Sequence, residues 1–288
     1  MDAISPMTVR VLTQPAALDE AVRPKAGPEA AAPLWSRPVV ISLLSVLVLL
    51  AAWQAVTAAR WIEPLFLPPP AAVWEKFLRV AGVGYMDATL WQHAGASLAR
   101  VALALGIAVL TAIPLGLWMG LSPIARGVFD PLIEFYRPVP PLAYLPLIVI
   151  WFGIGELSKV LLITLAIFAP LVIATATGVR QVDETRRRAA QAFGATRWQL
   201  LRHVVLPSAL PEILTGLRVG LGVGWSTLVA AELVAATRGL GFMVQSAAQF
   251  LNTDIVLLGI FTIALIAFGL ELGLRALQRR LVPWQGRG

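Results

Sequence analysis

The chain has 288 residues, 58% of them hydrophobic and only 14% charged, with a net charge of +7 and a mean hydropathy of +0.78. One globular core cannot bury that apolar fraction, whereas a hydrocarbon solvent removes the need to, so a membrane protein is expected and a nucleic-acid partner is not. The absence of cysteine excludes disulfides, thiolate metal sites and a cysteine nucleophile; His93 and His203 lie too far apart to form a ligand pair and read as ordinary polar loop residues.

Residues 1–38 are rich in Ala and Pro, carry mixed charge and show no apolar periodicity, which predicts a disordered arm. The first apolar run starts near residue 39 and is too long for a secretory signal, so it reads as an uncleaved first span. Uncharged gaps of 22 residues between Arg37 and Arg60, 25 between Arg100 and Arg126, 18 between Arg137 and Glu156 and 20 between Lys159 and Arg180 each approach a bilayer crossing. Two further apolar stretches, about 211–237 and 255–274, bring the count to six spans within 39–280, followed by a short tail, 281–288. With the N-terminus cytoplasmic, seventeen Lys and Arg fall on the cytoplasmic side and six on the other. That bias predicts both termini, and the tail, inside. The third span opens on prolines 138, 140, 141 and 146, either as broken backbone beside a pathway or as a plain loop-to-helix entry.

Between the fourth and fifth spans lies "RRRAAQAFGATRWQLLRHVVLP", residues 186–207, with five arginines and a histidine. Asp183 and Glu184 suit a helix N-terminus, and a helix over 185–193 is predicted to end at Gly194. Thr196 can cap a second helix over 197–205, with Trp198, Leu201 and Val205 on one side and Gln199, Arg202 and His203 on another; Pro207 is expected to stop it. Such an elbow fits either a lipid interface, through its arginines, or a protein groove, through an aromatic anchor.

The pattern resembles the cytoplasmic coupling loop of ABC importer permeases, E-A-A-x3-G-x9-I-x-L-P, at Arg188, Ala189, Ala190, Gly194, Val204, Leu206 and Pro207. Val204 stands for Ile, and Arg188 reverses the charge of the Glu, which suggests a compensating acid in a partner groove. "FLPPP", "YMDATLWQH", "YRPVPPLAYLPLIVIWFGIGE", "LPEILTGLRVGLGVGWSTLVAAELVAATRGLGFMVQSA" and "LELGLRALQRRL" extend the likeness over about 39–286, to permeases of the sulfonate, nitrate and bicarbonate group, those for taurine among them. The resemblance implies an all-α type I importer permease of the bacterial inner membrane. It also implies a homodimeric pore, two separate ATP-binding cassette subunits docked on the 183–207 loop, and a periplasmic substrate-binding protein. The ATPase has to be another chain, because none of Lys25, Lys76 and Lys159 follows a glycine as a phosphate-binding loop requires.

Gly216, Gly220 and Gly224 form a stripe for close helix approach, within one subunit or at a dimer seam or pore. Trp225, Ser226 and Thr227 are pathway candidates for an anionic sulfonate. Glu232 and Glu271 are intramembrane carboxylates, functional by default or hydrated near an interface. An ion-coupled secondary transporter, with one of them as proton site, is the alternative reading. No cofactor or catalytic residue is expected.

Overall fold

The computed structural model describes residues 38–284, and no strand occurs among the described residues. The expected N-terminal arm, except Pro38, and the last four residues of the tail lie outside them. The chain divides into two compact units, Met1–Ala52 and Trp53–Gly288. The first is described only by most of helix α1, Pro38–Ala58, which is apolar on every side and exposes Leu43 through Leu50, as lipid contact requires.

In the second unit, four helices are long and apolar enough to cross a bilayer: α3 (Leu90–Leu121), α6 (Glu156–Arg180), α9 (Leu206–Ala235) and α11 (Thr253–Leu281). The expected third span differs. Residues 126–137, anticipated as a loop, lie mostly in α4 (Pro123–Tyr136), and a 3₁₀ turn at Pro141–Tyr144 leads into α5 (Leu145–Phe152). α5 has only eight residues, so a crossing needs both pieces, bent by 91° where Pro138, Pro140 and Pro141 remove backbone donors. Two short helices were not anticipated: α2 (Pro70–Gly82), and α10 (Leu240–Gln249), which buries Leu240, Met243 and Ala247.

α6 is the centre of the bundle: 61% of its apolar window is enclosed, against 28% for α3 and 17% for α11. Glycines let α9 approach it. A Cβ on Gly216 would lie 2.3 Å from Ala174 Cβ, and one on Gly224 2.6 Å from Ile167 Cγ1, whereas one on Gly222, on another face, would meet nothing within 4 Å. The stripe therefore packs against α6 of the same chain.

Candidate functional site

The elbow folds as local sequence directs until its end. Helix α7 (Glu184–Ala192) is capped by Asp183, whose Oδ1 accepts from Thr185 N–H at 2.8 Å. Gly194, at φ +82°, closes it: its N–H donates to Gln191 O and Ala195 N–H reaches back to Ala190 O, the paired bonds of a left-handed helix stop. Thr196 and Gln199 then cap α8 (Arg197–Leu200) reciprocally. Pro207 does not stop the chain. A π-helical turn, Leu201–Val205, lets Leu206 N–H donate to Leu201 O five residues back, and the helix runs on through Pro207 into α9. Arg197–Val234 is one continuous rod.

The elbow's inner side is Val182, Leu200 and Val205, with Ala190, Leu201 and Val204 half-buried, packed with Met119, Val179 and Ile213 of the bundle. Trp198 does not share that side: it is 67% exposed, and Phe193, which the sequence reading passed over, is 93% exposed. Ala189, Gly194 and Leu206 are exposed and Pro207 half-buried. Arg188 finds an acid in its own helix, Glu184 Oε1 at 3.2 Å, but both side chains remain more than half exposed and such a pair holds them weakly.

At the other end of the bundle a buried polar cluster forms that the spacing of charges concealed. Arg100 lies inside α3, not in a loop, and its side chain is 6% exposed. Its Nε and Nη2 donate to the two oxygens of Glu156 at 2.6 and 2.8 Å, and Nη1 donates to Glu232 Oε1 at 2.5 Å and to Arg238 O at 2.8 Å. Lys159 adds a bond to Glu156 at 2.8 Å. Glu232, fully buried, also accepts from Ser97 Oγ at 2.8 Å and from Gly241 N–H at 2.8 Å. Gly239, at φ +140°, admits no side chain, since a Cβ would sit 2.4 Å from the Glu232 carboxyl carbon.

His93 is likewise no loop residue. It is fully buried in α3, Nδ1 accepting from Gly239 N–H at 3.2 Å, so Nε2 carries the proton and donates to Tyr85 O at 3.0 Å. His93, Ser97 and Arg100, spaced four and three apart, thus fasten the start of α10 to α3 and α9. Glu271 is also paired, with Arg218 at 2.6 Å and Arg275 at 2.8 Å. Both carboxylates are thus paired with guanidiniums.

The four pathway candidates do not converge. Trp225 is buried among Ala104, Ile163 and Leu228, Thr227 is buried with its hydroxyl on Val223 O, and Glu232 belongs to the polar cluster. Only Ser226 is exposed, its hydroxyl bonded to Gly222 O. On the same side of α9, Thr215, Gly216, Val219 and Val223 line a cavity of about 480 Å³ shared with α6 and with Tyr136, Val139 and Pro141 of the broken segment. Non-helical backbone at Val139 thus borders open space.

The bundle, with its exposed elbow leading into one long span, can be set beside known proteins. Residues 112–283 match the model of the binding-protein-dependent transport system inner membrane component, and the chain belongs to that family, the permeases of ABC importers. It is 67% identical over 252 residues to the taurine transport system permease protein TauC of Escherichia coli K12, covering 87% of this chain and 92% of that one. To the putative aliphatic sulfonates transport permease protein SsuC of the same strain it is 34% identical, over 82% and 88% of the two chains. Among solved structures, an inward-facing MetNI methionine ABC transporter superposes with a TM-score of 0.60 at 18% identity, covering 67% of this chain and 95% of its own, a likeness of fold.

Proposed function

We propose that this permease carries taurine or a related aliphatic sulfonate, as a homodimer with two ATPase subunits on the elbows and a periplasmic binding protein opposite, both termini being cytoplasmic. The 67% identity to a taurine permease over nearly the whole chain carries the substrate assignment. The elbow's exposure supports the docking: Phe193 and Trp198 present aromatic surface on either side of a rigid glycine stop, with arginines around them, the composition that anchors protein interfaces. Closure of the ATPases would move the elbow and, with it, the rod that carries the 216–224 stripe and the cavity face.

The test is growth on taurine as sole sulfur source with the chain deleted and restored, paired with uptake into vesicles. The expected result is uptake that needs ATP and survives collapse of the proton gradient. Uptake that ignores ATP and follows the gradient would overturn the coupling, and ATP-driven uptake without taurine would overturn the substrate.

A further inference from the structure

A second hollow lies on the outside of the bundle, between α3, α9 and α11, with a volume of about 370 Å³. Leu98, Leu105 and Leu221 wall it, and Gly269 and Gly273 form its floor with Ala102. These glycines differ from the 216–224 stripe: a Cβ on either would meet nothing within 4 Å. No neighbouring helix of the described chain uses the room they leave.

The groove is apolar but its end is not. Leu277 closes the lining on α11, and Arg280 is the next position on that helix face. Arg279 and Arg280 are both exposed and form no ion pair among the described residues, whereas Arg275 and Arg218 are tied to Glu271. An apolar slot running along a membrane-spanning helix toward an exposed guanidinium, that of Arg280, matches one amphiphile: an acyl chain in the slot and an anionic headgroup on the arginine. We propose that this groove is a binding site for an anionic phospholipid, with Gly269 and Gly273 making room for the acyl chain and Arg280 selecting the headgroup. The site rests on the chain spanning a membrane and is independent of which substrate it carries.

The experiment compares the full chain in nanodiscs of phosphatidylcholine alone and of phosphatidylcholine with phosphatidylglycerol, reading thermal melting and the lipids retained on extraction by native mass spectrometry. Phosphatidylglycerol should be retained selectively and should raise the melting temperature. Arg280→Gln should reduce that selectivity by about fivefold while leaving phosphatidylcholine retention unchanged, and Arg279→Gln, on another face of the helix, should reduce it less. Gly273→Leu has space for its side chain and favours the helix, so it should fold and lose bound lipid of both kinds. Equal retention in wild type and Gly273→Leu, or no preference for phosphatidylglycerol in wild type, would overturn the proposal. So would a photo-crosslinker at Leu277 joining chain to chain instead of chain to lipid, which would assign the groove to a protein segment.

Discussion

Replacing Arg100 by leucine removes the one cationic side chain paired with Glu232, whose carboxylate has no exposure to solvent. Ser97 and Gly241 would still donate to it, but two dipoles do not neutralise a buried charge. Breaking a buried pair from one side costs about 3–5 kcal/mol, roughly two to three and a half decades in the folding equilibrium. Loss of the Glu156 contact adds little, because that carboxylate is 63% exposed and keeps Lys159. Arg100→Leu should therefore melt well below wild type in detergent and reach the membrane in reduced amount. Adding Glu232→Gln, which deletes the stranded charge while still accepting from Ser97 and Gly241, should restore about half of the lost stability or more. Wild-type melting of Arg100→Leu, or a double variant no better than the single, would refute the view that the cluster is held by paired charge.

Gly194→Val meets no neighbouring atom, so its cost is the backbone strain of φ +82°, about 1–3 kcal/mol confined to the elbow. Membrane abundance should stay near normal while ATPase co-purification and taurine-dependent growth fall, with Trp198→Ala milder; full ATPase binding by Gly194→Val would remove the elbow from the coupling role. Gly220→Leu should impair folding, because a Cβ there already lies 3.1 Å from Ile167, whereas Gly222→Leu should fold and perturb only what that open face touches. Detergent melting of the two variants checks the contrast, and equal behaviour would refute close packing on α6.

The elbow could be read from sequence because its signals are local: an acid before the first helix, a glycine suited to the left-handed stop, and a threonine placed to cap the second helix; the reciprocal bond from Gln199 was equally local and was missed. Where the reading failed, non-local pairing was at work. Arg100 and Lys159 mark span ends in the sequence and His93 reads as a loop residue. Lys159 does have Glu156 one turn before it, but nothing adjacent to Arg100 or His93 reveals that Glu156 and Glu232 arrive from other helices, and Gly239 from the turn before α10, to satisfy them. The spacing of His93, Ser97 and Arg100 on one face of a helix was the available signal. Pro207 misled in the opposite sense: a proline ends a helix only when the preceding turn cannot widen, and here it widens into a π turn. Phe193 went unnoticed because one aromatic beside a glycine has no periodicity.

The rod Arg197–Val234 has a further consequence. Its 38 residues span about 57 Å at the α-helical rise, with the elbow near one end and Glu232 near the other. If the rod pivots as a stiff body, a tilt of about 5° imposed at the elbow carries the far end sideways by about 5 Å, close to one helical pitch. On the proposed coupling, the rod is a lever, the elbow is its handle, and the ionic cluster that Glu232 joins sits at its working end.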